Sequence, residues 1–245
     1  MKLKITFTFD GALELPQHYN HIVQAIIYKW INDDNYRKFL HDSGYNYQKR
    51  TFKLFTFSKL FGSFTLDRSR GKICFHDRCY LYLSSMDEKL LIYLSNGLMD
   101  SEAVDFCGKK VFVNSIELIQ EKAQSSLEVY TISPITVAST VDIGEKKKTY
   151  YYNPSESEFQ ELIARNLIKK YIAYYDEEPK DTDFKITRIN NRLKENIIKY
   201  KNFIIKGWSG EFKIEGSKEL IDIALKSGLG SKNSQGFGCI MIKNN

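Results

Sequence analysis

Gly228-Leu-Gly-Ser-Lys-Asn-Ser-Gln-Gly-Phe-Gly238, followed by Cys239-Ile-Met-Ile242, is the stretch on which the reading of this chain turns. Four of the 14 glycines fall within it. Glycine tolerates positive φ and lets the backbone approach another molecule closely. Gly228, Gly230, Gly236 and Gly238 interleave with Ser231, Lys232, Asn233 and Ser234, so the segment offers backbone N–H groups, small donors and one cation to a phosphate chain. The same residues fit a plainer role, with Gly228 as a helix C-cap and Gly236-Phe-Gly238 as a turn. In both cases the segment joins a helix-like run from Ser217 to Lys226 to an apolar, strand-like run. That order excludes a Walker loop, which passes from strand to helix and carries G-x-x-x-x-G-K-[ST].

Outward from this junction the second half alternates strand and helix signals. Leu127 to Val137 is β-rich, and Lys146-Lys-Lys148 reads as a loop tip before Tyr150. Pro154 opens a helix whose stripe is Phe159, Leu162, Ile163, Leu167 and Tyr171. Lys185–Ile189, Phe203–Ile205 and Phe212–Ile214 read as strands. In the first half Leu3 to Phe9 alternates with period two, and Pro16 opens a helix carrying Val23, Ile26, Ile27 and Trp30 at helical spacing. A short helix spans Asp34 to Leu40. Strands follow at Phe52–Phe57, Gly62–Leu66, Lys72–Phe75 and Tyr80–Leu83, with His76 in a hairpin between the last two. Ser85-x-x-Glu88 is a capping box ahead of a helix with Leu90, Leu91, Leu94 and Leu98 on one face. Lys110–Ile119 returns as a strand. Each half approximates β-α-β-β-α-β. The expected fold class is therefore α+β, two tandem ferredoxin-like (RRM-like) domains. They span 1–122 and 123–245, divided near 120–126, where apolar character is lost.

The formal net charge of +6 is a mild basic excess, compatible with an anionic partner. Of the four cysteines none form C-x-x-C. Cys74 and Cys79, with His76 between them, make too sparse a set for zinc, so neither metal nor cofactor is expected. Free buried thiols fit a reducing cytoplasm. Neither a signal peptide nor an apolar run of about 18 residues is present, so a cytoplasmic protein with no membrane partner is expected.

His41 closes a helical segment ahead of Asp42-Ser-Gly44. Lys49, Arg50 and Lys53 follow among aromatic residues, and Tyr28 lies upstream on the first long helix. Imidazole moves protons near neutral pH. A lysine or arginine holds a phosphate and offsets charge developing on it. A tyrosine orients a phosphate or stacks on a base. Together these groups suffice for metal-free RNA cleavage, in which the ribose 2′-OH attacks its own phosphodiester. DNA lacks that nucleophile and is excluded as substrate. Each residue also has a plainer place: His41 against a helix macrodipole, Tyr28 in the core.

The histidine in its Leu40-His-x-x-Gly44 setting, the run Phe52-Lys-Leu-Phe-Thr-Phe-Ser58 and the terminal Gly236-Phe-Gly238 together carry a resemblance. Over its whole length the chain resembles the CRISPR-associated endoribonucleases that process precursor CRISPR RNA, members of the repeat-associated mysterious protein (RAMP) superfamily. The resemblance implies metal-independent cutting within the CRISPR repeat RNA, leaving a 5′-hydroxyl and a 2′,3′-cyclic phosphate. It implies His41, Tyr28 and Lys49 (or Lys53) as catalytic residues. Arg50, Lys53, Gly228, Gly230, Ser231, Lys232, Gly236 and Gly238 would then bind RNA. Subunits of a CRISPR effector complex are further partners it implies. The alternative is a non-catalytic RNA-binding subunit of such a complex, with the same fold and loop. Apolar positions on the first helix leave a homodimer open against simple core packing.

Overall fold

The computed structural model describes residues 1–144 and 146–243. The N-terminal alternation becomes β1 (Lys2–Pro16), which runs past Phe9 because a bulge at Gly11, φ +68°, bends the strand without ending it. Pro16 thus ends a strand and does not open a helix. α1 (Asn20–Trp30) begins four residues later. α2 (Asp34–Lys38) is capped by Asp33, whose carboxylate accepts from the Tyr36 N–H at 2.7 Å. A π-helical turn, Phe39–Ser43, follows and stops at Gly44.

Beyond it lie β2 (Tyr45–Tyr47), β3 (Arg50–Phe52), β4 (Phe55–Phe57), β5 (Phe61–Asp67) and β6 (Lys72–Ser85). The expected strand from Phe52 to Phe57 is broken at Lys53-Leu54, where Leu54 takes a positive φ. The two strands expected around His76 are one. A left-handed residue, Asp77, makes a bulge inside β6, and His76 sits mid-strand opposite Ala12. α3 (Glu88–Met99) is capped by Asp87, which accepts from the Lys89 N–H. Ser85, read as the cap, instead accepts from the Asp87 N–H. β7 (Val104–Phe106) and β8 (Lys109–Ile119) complete an antiparallel sheet ordered β4-β6-β1-β8-β7, with β5 on β6. The path β8-β1-β6-β4, with its two helices, is a ferredoxin-like unit.

The second half contains β9 (Ser126–Thr131), β10 (Ala138–Ile143), β11 (Lys146–Tyr151), α4 (Ser157–Tyr175), β12 (Phe184–Arg188), β13 (Lys194–Tyr200), β14 (Phe203–Ser209), β15 (Glu211–Gly216), α5 (Lys218–Ser227) and β16 (Ile240–Ile242). Its sheet runs β12-β15-β9-β16, the same permutation of strands. Two hairpins, β10–β11 and β13–β14, are inserted into this unit. Lys146 to Lys148 therefore belong to a strand and not a loop tip, and α4 starts three residues beyond Pro154.

Each sheet buries one face against its helices. One core gathers Phe7, Leu13, Ile27, Phe55, Phe57, Phe75 and Leu94, and the other Val129, Ile163, Leu167, Phe212, Ile221 and Leu225. Full burial of such side chains contributes about 1.5–3 kcal/mol each. Leu54 and Met86 belong to the second core although they lie in the first half, and the Met86 N–H donates to the Leu54 carbonyl at 3.0 Å. Buried Lys2 reaches across to the Ile240 carbonyl at 2.6 Å and pairs with Glu121.

Candidate active site

His41 stands on the π-helical turn with its side chain 71% exposed. Gly44 ends that turn because its φ of +59° reverses the chain, and a Cβ there would lie 2.6 Å from the Phe52 carbonyl oxygen. The next residues therefore fold back as the β2–β3 hairpin. Lys49 sits at its exposed tip, and Arg50 opens the returning strand opposite Tyr47. Three residues further the chain is again beside His41, and the Lys53 ammonium donates to the His41 carbonyl at 2.7 Å. The lysine that meets the His41 turn, at its backbone carbonyl, is Lys53. Lys49 lies out on the tip of the hairpin.

Tyr28 comes to the same place from α1. Its ring meets the His41 ring edge-to-face at a centroid distance of 5.6 Å, and the Phe55 ring at 6.0 Å. It is half-buried, serving both the core edge and the site. Burial raises its hydroxyl above the ordinary tyrosine range, so the group is a hydrogen-bond donor at neutral pH. Asp42 was missed by the sequence reading. Its carboxylate lies 2.7 Å from His41 Nδ1 and is held below the usual carboxylate range by that hydrogen bond. Such a contact fixes a proton on Nδ1 and leaves Nε2 free for other chemistry. With both groups open to solvent, it orients the ring and adds little stability. Partial burial lowers the Lys53 ammonium from its ordinary value.

The strip from Arg50 to Phe55 forms one wall of a cavity of about 390 Å³. The opposite wall is Gly230 to Gln235, and the floor is Asn166, Lys170 and Ser227. Arg50, Lys53, Lys170 and Lys232 line it, and among the described residues no carboxylate does. The site thus joins the two halves of the chain.

The glycine segment is built into the fold. Gly228, Gly230, Gly236 and Gly238 are buried or nearly so, and Lys232 is exposed, itself left-handed at φ +59°. At Gly236, φ +83°, a Cβ would lie 2.6 Å from the Phe57 ring, and at Gly238, φ +74°, it would collide with the Leu229 carbonyl. Asn233 Nδ2 donates to the Leu229 and Phe237 carbonyls at 3.0 Å each, pinning both ends together. Thr56 donates to the Phe237 carbonyl, Asn20 to the Gln235 carbonyl and Gln24 to the Ser234 carbonyl. The Ser231 N–H donates to the Thr136 carbonyl. Glycine is required here for close packing, and the face left open toward the cavity is Gly230 to Lys232.

Lys170 was also missed. It falls on the buried face of α4 with Phe159, Ile163 and Leu167, and a lysine on an apolar stripe was the available signal. His18 and His76 lie apart from this constellation, and His21 packs its ring against Tyr200. Among the described residues no group of three or more His, Cys, Asp or Glu side chains is placed to hold a metal ion, and no helix is long and apolar enough to cross a membrane.

Two family models match end to end: CRISPR-associated protein Cas6, N-terminal, over residues 14–117, and CRISPR associated protein Cas6, C-terminal, over residues 118–242. The chain is 30% identical to the CRISPR-associated endoribonuclease Cas6 1 of Methanocaldococcus jannaschii, over 98% of this chain and 92% of that protein. It is 27% identical to the CRISPR-associated endoribonuclease Cas6 of Pyrococcus furiosus, over 96% and 86%. A solved CRISPR associated protein Cas6 superposes with a TM-score of 0.82 at 28% identity, covering 100% of this chain and 99% of the other. A structure described as a RAMP protein binding different RNA substrates has the same fold, with a TM-score of 0.84 at 22% identity over the full length of both chains. The tandem ferredoxin-like architecture, the end-to-end match of both family models and the near full-length relatives converge: this chain belongs to the Cas6 family of CRISPR-associated proteins.

Proposed function

We propose that this protein is an endoribonuclease that cuts CRISPR repeat RNA in the precursor transcript, using His41, Tyr28 and Lys53 at the scissile phosphate. The observation that carries the reading is the convergence of an exposed imidazole, a tyrosine ring at 5.6 Å and a lysine ammonium on the same turn. The near full-length relatives named as CRISPR-associated endoribonucleases support it.

In the proposed step the ribose 2′-oxygen attacks the adjacent phosphorus. A 2′-O–P bond forms, the P–O5′ bond breaks, and the proton of the 2′-hydroxyl ends on the departing 5′-oxygen. The products are a 2′,3′-cyclic phosphate and a 5′-hydroxyl. His41 moves the proton through its free Nε2. Lys53 turns from the His41 carbonyl toward the phosphate and offsets the charge that builds on its oxygens. Tyr28 holds the ring in place and offers its hydroxyl. Arg50, Ser231 and Lys232 grip the RNA backbone along the cavity rim. The division near residues 120–126 belongs to this reading, with the imidazole on one side of it and the loop on the other.

The test is incubation of the purified protein with repeat RNA in EDTA and mapping of the product ends. A single cut with a 5′-hydroxyl and a cyclic phosphate is expected. Tight binding without a cut would instead favour the non-catalytic RNA-binding subunit.

A further inference from the structure

Lys170 is fully buried on α4 and enters none of the chemistry above. Its ammonium meets three acceptors: the Gly228 carbonyl at 2.6 Å, Asn233 Oδ1 at 2.8 Å and the Ser227 carbonyl at 3.4 Å. An ammonium has three donors and a neutral amine two, so the site is matched to the charged form. Two of the acceptors are the last carbonyls of α5, where a cation complements the helix dipole. The third belongs to Asn233, whose amide nitrogen ties Leu229 to Phe237. A single side chain thus grips the start of the glycine segment and, through Asn233, both of its ends.

A buried lysine is costly unless its contacts repay desolvation. Every other ionisable side chain lining the cavity is also a cation: Arg50 and Lys53 from the β3–β4 strip and Lys232 from the loop. Lys170 therefore holds its charge against its neighbours, with no carboxylate among the lining residues to balance it.

We infer that Lys170 is a positioning residue: its ammonium, acting through the Gly228 carbonyl and Asn233, sets the shape in which Gly230–Lys232 meets the RNA backbone. This deepens the RNA-cleavage reading and rests on it for the identity of the ligand, but the loop-holding part stands apart from it. Burial brings the Lys170 ammonium down to about 7, so its charge titrates near neutral pH. An RNA phosphate arriving in this acid-free basin favours the charged form. RNA binding then takes up a proton above neutral pH, and affinity falls as pH rises.

The experiment has two arms. In the first, amide hydrogen exchange is followed in the free protein at Leu229, Ser231, Gly236 and Gly238. Lys170→Met should speed exchange at these amides and leave β1 unchanged. Unchanged exchange in the loop overturns the inference whether or not the protein cuts RNA. In the second, binding of a host CRISPR repeat RNA carrying a 2′-deoxy at the cut is measured from pH 6 to pH 9 in a His41→Ala background, which removes the imidazole titration. Lys170→Met should weaken binding about tenfold at pH 6, the effect of losing a hydrogen bond to a charged group, and flatten the profile. The rate at saturating RNA, measured with His41 intact, should change little. Affinity loss with the original slope would mean a merely structural role and would overturn the inference. Lys170→Gln covers the case in which Lys170→Met fails to fold. Its amide keeps two donors for the Gly228 carbonyl and Asn233 Oδ1 but carries no charge, and it should flatten the profile; a profile with the original slope overturns the inference.

Discussion

The turn that carries His41 and the loop that carries four glycines are linked through Lys53, which meets the His41 carbonyl and lines the cavity beneath the loop, and they are built in opposite ways. The turn is a five-residue π-helical segment, exposed along most of its length, whose only fully buried side chain is Leu40. The loop is packed into the interior at its glycines, pinned by Asn233 and Lys170 and seated on Phe57. Composition alone suggests the reverse, since serine, asparagine and glycine read as flexible. The difference separates two tasks. In the proposed cleavage, the group assigned to move a proton stands in the open, where RNA can reach it. The surface assigned to the RNA backbone is set by the core, so on that proposal binding geometry costs little to preorganise.

Substitutions on the two sides should fail differently. His41→Ala should slow cleavage of repeat RNA by about a thousandfold, in the range of a lost general acid or base. RNA affinity and Tm should stay close to wild type, as measured by gel assay, filter binding and thermal melt. Gly238→Ala should do the opposite. The new methyl meets the Leu229 carbonyl in a left-handed residue, so a loss of about 3 kcal/mol or more is expected in denaturant unfolding. A Gly238→Ala variant as stable as wild type would mean that the loop is not set by the core.

Smaller effects sharpen the picture within the turn. Lys53→Met should cost about a hundredfold in rate at saturating RNA, comparable to removing one charge-stabilising donor, whereas Lys49→Met should change it by less than about threefold, as for an exposed charge at a hairpin tip. Equal effects would contradict the assignment of Lys53, the lysine on the His41 carbonyl, to the scissile phosphate. Tyr28→Phe keeps the ring against His41 and removes the hydroxyl. A loss of about tenfold in rate, the worth of one hydrogen bond, is expected, and Tyr28→Ala should cost more by freeing the imidazole.

The fold was legible because its signals are periodic. Alternation gave β1 and β8, and the stripes of α1, α3, α4 and α5 gave the helices between strands. Left-handed residues hid the rest. Asp77 made one strand look like two, and Leu54 split an expected strand into β3 and β4. β13 escaped because its inward face is Asn196, Ile198 and Tyr200 while Ile197 is exposed, which blurs the alternation. At the site, histidine, tyrosine and lysine were readable as types. Their distances were not, because only the hairpin after Gly44 decides that Lys53 returns to His41 while Lys49 points away. Lys170 carried one signal, its place on the apolar stripe of α4, but nothing in sequence shows that its three acceptors lie some sixty residues further along the chain.

The most direct test of the central claim replaces one atom of the substrate. A repeat RNA with a single 2′-deoxy at the mapped cut position should bind as the unmodified RNA does and remain uncut, in EDTA and in magnesium alike. Cutting of that RNA at the same phosphate would show that another nucleophile does the work, and the assignment of His41, Tyr28 and Lys53 to a 2′-hydroxyl attack would fall.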